Sequence, residues 1–266
     1  MTTRYEEFRD LHRSGAPLLL PNAWDHASAA AFAAAGFRAI GTTSLGVAAA
    51  AGLPDGAGST RQETLRLTRG LTRLDALVSV DIEGGFSDDP GEVAALAVEL
   101  ADAGAVGINI EDGRPDGTLR DTAHQSEILH AVHEAVSDRL FVNARTDTYW
   151  LTPGDGCAAA RTEERFAAYQ QAGAGGLFVP GLKDVRVIAE LTSGFEAPVN
   201  ILHAPDGPAL PELAEAGVRR VSCGSLPFRA ALRGAVAAVE SVVRGTALPE
   251  GIPSYAETQA LSEAFA

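Results

Sequence analysis

Apolar residues fall along this chain in short, nearly unbroken runs rather than in strict alternation with polar ones. Eight such runs can be read, at 17–21, 38–42, 77–82, 106–110, 140–144, 176–179, 198–202 and 219–223. Short continuous apolar runs suit strands covered on both faces, which is the condition of a parallel sheet. Between them lie segments with helical spacing, among them 90–103, 124–137, 158–172 and 209–216. One phrase marks the passage from helix to strand: AAAGFRAIGTTS, ADAGAVGINIED, QQAGAGGLFVPG and AEAGVRRVSCGS. In each, an alanine-rich helix end meets a glycine suited to a left-handed cap (Gly36, Gly104, Gly173, Gly217), and an apolar run begins. The copies are too widely spaced for one helix–strand unit apiece, and one of the remaining runs precedes each copy. Alternation of this kind predicts an α/β fold, a (β/α)8 barrel of the TIM type. No linker interrupts the pattern, so residues 1–266 are expected to form one domain. The Pro/Gly break in LPEGIPSYAETQALSEAFA sets 247–266 apart as a C-terminal helical arm, packed on its own barrel or exchanged between subunits.

Composition narrows the picture. A net charge of -14 argues against a nucleic-acid partner, whose phosphates would be repelled. An apolar fraction of 46% supports a large core and argues against disorder. The charged opening MTTRYEEFRDLHRSG has no apolar export segment, and AFAAAGF is too short to span a bilayer. A cytoplasmic protein without a membrane partner is therefore expected. Cys157 and Cys223 make neither a disulfide framework nor a zinc spacing.

Active sites of closed parallel barrels sit at the C-terminal mouth, so the residues that follow each strand are the candidates. The stretch VSVDIEGGF raises the sharpest question, because Asp81 and Glu83 stand at a strand tip before Gly84 and Gly85. Glu111 follows the next strand and Arg145 the one after it. Carboxylates so placed repel one another unless a cation sits among them. Oxygen donors without a His or Cys cluster point to Mg²⁺, or to a similar ion such as Mn²⁺. On this reading the DIEGG turn aims oxygens at a metal while its glycines let the chain double back. A purely structural acid cluster is the competing reading. Asn200 and His203 close the seventh strand. His203 is the one histidine placed at the mouth, as an acid–base group or as a hydrogen-bonded loop residue. Tyr149 and Trp150 either wall the pocket or pack. The 113–122 loop, with Arg114 and Arg120, reads as a lid or as an exposed charged loop.

At these residues the chain resembles the isocitrate lyase/phosphoenolpyruvate mutase superfamily. The resemblance runs from PNAWDHASAAAF through GTTSLG, DIEGGF, INIEDG and NARTD to VRRVSCGS, and so covers most of the chain. It is strongest to the short bacterial branch with the NARTD motif. The resemblance implies that Asp81 lies nearest Mg²⁺, that Glu83 and Glu111 hold metal-bound waters, and that Asp55 stands beside those waters. It also implies that Thr43, Ser44 and Leu45 grip the carboxylate of a pyruvate-like substrate; Asn200, read from its place at the end of the seventh strand, is a further expected substrate contact. Arg145 then meets the 2-oxo acid or its enolate. A C-terminal helix exchanged between subunits would make the protein a homodimer or homotetramer.

Two departures separate this chain from the best-known members. The KKCGH loop of isocitrate and methylisocitrate lyases is replaced by EDGRPDGTLRDTAHQS, which has neither the Cys nor the Lys pair. The places where mutases carry Lys and Asn hold Asp116 and Thr118. The D-x-E at 81–83, in contrast, resembles the lyases. The function so implied is a Mg²⁺-dependent lyase that cleaves a C–C bond of a small 2-oxo acid or its 2-hydroxy adduct. Decarboxylation of an oxaloacetate-like acid needs no base to start it, whereas retro-aldol cleavage does. Chemistry at a P–C bond and a 2-oxo acid binding barrel without efficient turnover stand as the alternatives.

Overall fold

Each strand has an outward and an inward face, and the residues of this chain divide between them by composition. A computed structural model describes residues 2–152 and 154–266. Among them, parallel strands follow one another around a single sheet: β1 (Leu18–Leu20), β2 (Asn22–Ala23), β3 (Ala39–Thr42), β4 (Leu77–Asp81), β5 (Gly107–Glu111), β6 (Phe141–Arg145), β7 (Gly176–Val179), β8 (Val199–Leu202) and β9 (Arg220–Ser222). β1 pairs with β9 and β2 with β3, and only Pro21 separates the two. They are therefore two halves of one stave, so nine strands make the eight-staved barrel read from the sequence. Pro21 supplies no N–H, but its carbonyl still accepts from Gly41 N at 2.8 Å.

Outward positions carry Ile40, Val78, Val80, Ile108, Ile110, Val142, Leu177, Val199, Ile201 and Val221, all buried in the main core with the surrounding helices. Burying each such side chain stabilises the fold by about 1.5–3 kcal/mol. Several helices enter on an aspartate cap. Asp25, Asp89, Asp121 and Asp184 accept from backbone N–H groups of the first turn, each contributing about 1 kcal/mol. The four repeated glycines sit at φ +90, +96, +96 and +85, the left-handed conformation that a β-carbon disfavours.

Inward positions change character along the barrel axis. At the N-terminal end Leu20, Ala39, Leu77 and Phe141 are apolar, closed off by Phe8 of the helix Arg4–Leu11. Towards the mouth the same parity gives Ser79 and Asp81 on β4, Asn109 on β5, and Asn143 and Arg145 on β6. β8 and β9 continue the change with Asn200, Arg220 and Ser222. The barrel is thus plugged at one end and polar at the other.

The last long helix, Leu226–Arg244, buries only Phe228 and leaves Leu232, Val236, Val239, Val242 and Val243 exposed. The chain then turns back, and within 247–266 Leu261 and Phe265 rest on their own barrel, the Phe265 ring 5.4 Å from that of His26. The uncovered apolar face lies just before the expected arm. No helix among the described residues is long and apolar enough to cross a membrane.

His12 stacks on Phe141 at 4.3 Å between ring centroids and joins Phe8 O through Nδ1 at 2.9 Å. Burial pushes its pKa down to about 3, with the Arg220 charge acting the same way. The folded state therefore binds fewer protons than the unfolded chain between pH 3 and the ordinary value of 6.5. Stability is lost as pH falls through that window, by up to about 1.4 kcal/mol per pH unit. Urea unfolding of the wild type and of His12→Phe at pH 7 and pH 5 should show the wild type losing about 2 kcal/mol more than the variant. Equal losses would remove His12 as the source.

Candidate active site

Four consecutive staves end in the residues that line a cavity of about 490 Å³ at the C-terminal mouth: Thr43, Ser44 and Leu45 after β3, then Asp81, Glu111 and Arg145 at the tips of β4, β5 and β6. Asp55, on the loop after the helix Ser44–Ala51, completes the acidic side.

Asp81 is held entirely by neutral donors. Its Oδ2 accepts from Ser44 N at 3.2 Å, and its Oδ1 from Asn109 Nδ2 at 3.2 Å and Glu83 N at 3.4 Å. Asn143 Nδ2 donates in turn to Asn109 Oδ1 at 3.0 Å, so an amide ladder across three strands fixes the carboxylate. Thr42 Oγ1 accepts from Asp81 N at 2.8 Å. These bonds orient the charge without cancelling it, and among the described residues no Lys or Arg forms an ion pair with it.

Arg145 supplies the opposite charge nearby. Its Nη1 lies 2.6 Å from Glu111 Oε2, and its Nε donates to Asp147 Oδ1 at 2.7 Å. The guanidinium carbon stands 5.7 Å from the centre of the Phe178 ring. Burial works against the Arg145 charge, but Glu111, Asp147 and Asp81 outweigh it and hold the group more firmly protonated than usual. Glu111 is pushed up by burial, against the pull of Arg145. Partial loss of water raises Asp55 as well, with Ser44 opposing and Asp81 adding to the rise.

Glu83 takes a different direction from its neighbours. Its backbone is left-handed, φ +52, as is that of Phe86 at φ +58. Such positions carry strain of about 1–3 kcal/mol each unless surrounding contacts hold them. Here Glu83 Oε2 accepts from Gly58 N at 3.0 Å and Oε1 from Thr60 Oγ1 at 2.7 Å. The carboxylate is buried against the 56–60 loop and opens onto an adjoining cavity of about 380 Å³ that shares Glu111, Gly113 and Arg114 with the first. Of the two glycines in this turn, Gly85 is the one at positive φ, and a β-carbon there would lie 2.7 Å from Val93 Cγ1.

Other expected residues are placed as follows. Asn200 is buried inside the barrel, its Oδ1 3.4 Å from Ser222 Oγ and its Nδ2 without a partner. His203 is exposed and its ring does not line the cavity, although its backbone N–H donates to Ser222 O at 2.8 Å. Trp150 and Arg114 line the cavity. Arg120 turns away to Asp88, Gln125 and Gly84 O, and the 113–119 loop is closed by a Gly113–Leu119 bridge. Sequence reasoning passed over Ser79, Asn109 and Arg220, which also line the cavity, as does Ser222 at the end of the last strand. Their signal was present: each lies two residues from another inward position, the period of a strand.

The donor set fits a hard divalent cation. Among the described residues no three His, Cys, Asp or Glu side chains converge closely enough to hold a metal by themselves. Mg²⁺ asks for less, because it keeps several waters and binds through one or two carboxylates. Asp81, a carboxylate held only by neutral donors, meets that need.

A family model described as phosphoenolpyruvate phosphomutase matches residues 8–243. The chain is 45% identical over 253 residues to "Uncharacterized protein Rv1998c" of Mycobacterium tuberculosis, covering 95% of each. It is 31% identical over 176 residues to 2-methylisocitrate lyase of Escherichia coli, covering 62% of this chain and 58% of that one. A Burkholderia cenocepacia crystal structure, provisionally assigned as a phosphonomutase, superposes with a TM-score of 0.85 at 39% identity, covering 89% of this chain and 99% of the other.

A brace behind the mouth yields a stability test. Asp112 is fully buried. It accepts from Asp147 N at 2.9 Å through Oδ1, and from Tyr169 OH at 2.6 Å and Arg165 Nη1 at 2.9 Å through Oδ2. Asp112→Ala would leave Arg165 buried without its charged partner, keeping only Arg120 O and Tyr169 OH, which costs about 3–5 kcal/mol. Chemical unfolding should read that loss, and a change below about 1 kcal/mol would show the brace to be dispensable.

Proposed function

Because the chain belongs to the phosphoenolpyruvate mutase/isocitrate lyase superfamily, we propose that it is a Mg²⁺-dependent lyase cleaving a C–C bond of a small 2-oxo acid or its 2-hydroxy adduct. The observation that carries this reading is the placement in one cavity of the Asp81 carboxylate, held by neutral donors alone, opposite Arg145, braced by Glu111 and Asp147. Asp81 would hold the metal, and Asp55, Glu111 and, from the adjoining cavity, Glu83 would meet its waters. The bound ion supplies Lewis-acid neutralisation of charge on a 2-oxo acid. The N-terminal turn of the helix Ser44–Ala51 offers backbone N–H groups and its positive end to the substrate carboxylate, which Thr43, Ser44 and Leu45 flank. Arg145, braced by Glu111 and Asp147, donates to the ketone oxygen where negative charge grows as the C3 bond breaks.

Cleavage at carbon is favoured over cleavage at phosphorus by the 113–119 loop. Thr118 donates to Asp116 Oδ1 from its N–H at 3.0 Å and its hydroxyl at 2.6 Å, so the positions that hold Lys and Asn in the mutases form a closed, uncharged-donor turn. Chemistry at a P–C bond is the second reading, and the Burkholderia structure at 39% identity favours it. The exposed apolar face of Leu226–Arg244 supports a homodimer or homotetramer in which that helix is covered by another copy.

Three outcomes follow from this reading. Incubating the protein with Mg²⁺ and oxaloacetate, methylisocitrate-like acids or phosphonopyruvate should release pyruvate from a carbon substrate; release from phosphonopyruvate alone would select the second reading. Asp81→Ala should abolish metal-dependent turnover and keep the wild-type circular dichroism spectrum, and retained turnover would remove Asp81 from the metal site. Arg145→Lys should lower kcat by about 10²–10³-fold, since a point charge cannot reproduce a braced planar donor.

A further inference from the structure

Below the mouth, the barrel interior holds a set of polar groups that the proposed chemistry leaves unused. Arg220, at the start of β9, is 3% exposed, and its Nε and Nη1 are buried without any hydrogen-bond partner. Its stave neighbour in register is Asn200, whose Nδ2 is likewise buried and unpartnered. Ser79 Oγ, inward on β4, is the third orphan, and both Ser79 and Arg220 line the mouth cavity. Gly41, which also lines it, keeps this depth open: a β-carbon there would meet Asn22 Nδ2 at 2.7 Å.

Among the described residues, none gives Arg220 a countercharge in contact. Beneath it lies His12, stacked on Phe141 and kept neutral. Beside it on β1 is Leu18, and on β8 Asn200, whose only bonded atom already accepts from Ser222. Asp81 is the carboxylate whose field reaches Arg220, yet among the described residues no hydrogen bond or ion pair joins the two. A buried guanidinium without an acceptor is strongly unfavourable, and one kept in a fold calls for a partner that the chain does not supply, an ion or an ordered water. The missing partner must be an acceptor, and the positive charge makes an anion the fitting one.

The geometry points to an anion subsite on the cavity floor, formed by Arg220 with Asn200 and Ser79, that takes the distal carboxylate of a diacid substrate. This rests on the proposed reading of the mouth, in which the 2-oxo or 2-hydroxy acid head sits at Asp81 and Arg145. Arg145, Phe178, Asn200 and Arg220 occupy one row across β6 to β9. That row spans about 14 Å along the sheet and less across the curved lumen. Two inward arginine side chains and a short diacid bridge such a gap. Asp81, which lines the same cavity, lies near enough for its charge to act on both arginines. The substrate class narrows accordingly, to a 2-oxo or 2-hydroxy acid with a second carboxylate.

Lactate and malate test this, since both are 2-hydroxy acids and malate adds one carboxylate. Calorimetric titrations of the Mg²⁺-loaded wild type in chloride-free buffer should show malate binding tighter than lactate by about 30-fold or more. In Arg220→Gln that preference should vanish, with lactate and oxalate affinities unchanged within about 2-fold. Arg220→Met removes the unpaired charge while keeping an unbranched side chain, so without any anion it should melt at or above the wild-type temperature. A lower melting temperature would mean that the protein itself satisfies the guanidinium, and would overturn the assignment. So would equal losses for lactate and malate, or a wild type that does not prefer malate. Chloride that stabilises the wild type but not Arg220→Gln, with malate affinity unaffected, would identify a resident halide and overturn the diacid. Failure of oxalate to bind with Mg²⁺ would instead strike the mouth reading, while oxalate binding without malate preference strikes only the floor.

Discussion

A carboxylate at the tip of a parallel strand can be fixed in place in two ways, and they have opposite chemical consequences. A cationic partner fixes it and cancels its charge; neutral amide donors fix it and leave the charge to act on whatever enters. Asp81 is of the second kind, held by Ser44 N and by an amide ladder from Asn143 through Asn109. Its charge reaches Asp55 and Glu111, whose protonation it favours, and Arg145 and Arg220, whose ionisation it favours. The acids and arginines around the mouth are arranged in relation to that carboxylate. The ladder depends in turn on register, because Asp81, Asn109 and Asn143 must share one level on one face of three strands. A slip of one residue would turn all three outward into the helical layer.

The turn that follows shows where the fold concentrates strain. Glu83 and Phe86 sit in the left-handed region within four residues of each other, with Gly85 between them. The turn persists because buried groups on either side overdetermine it: Thr60 and Gly58 hold the Glu83 carboxylate, and Val93 leaves no room at residue 85 for a side chain. Strain of this sort is tolerated where the neighbouring structure is rigid. Here the capped helix Pro90–Asp102 provides that rigidity.

Much of this was legible in the chain, and the limits of legibility have physical causes. Strands covered on both faces leave continuous apolar runs, so all eight staves could be read; the break at Pro21 could not, because it interrupts a stave without changing its course. The repeated cap glycines were legible because only a residue without a β-carbon takes those angles cheaply. The tips of β3 to β6 could be read because strand geometry sets where a terminal residue points. Directions beyond a tip depend on loop dihedrals that composition does not record. Glu83, two residues past the strand, therefore faces the 56–60 loop, and His203, just past β8, faces solvent. Arg114 and Arg120, similar in sequence context, separate for the same reason: one lines the cavity and the other is tied to Asp88 and Gln125. Arg220 was missed for a different reason. It stands at the start of its strand, where a site at the mouth is not sought.

That position matters because the inward face changes gradually from apolar to polar. Leu77, Ser79 and Asp81 occupy successive inward positions of β4, running from packing residue to hydroxyl to carboxylate in two steps. On β9 the order departs from this gradient, with a charged residue placed low, level with Leu18 of β1. Packing alone would favour an apolar side chain at that level, as Leu18 and Leu20 supply on the neighbouring stave. A charge retained there against packing, beside an amide and a hydroxyl that also lack partners, sets the lower boundary of the functional volume. The barrel therefore divides along its axis at Arg220, with the plug of Phe8, His12 and Phe141 beneath it serving stability and the groups above it facing the cavity.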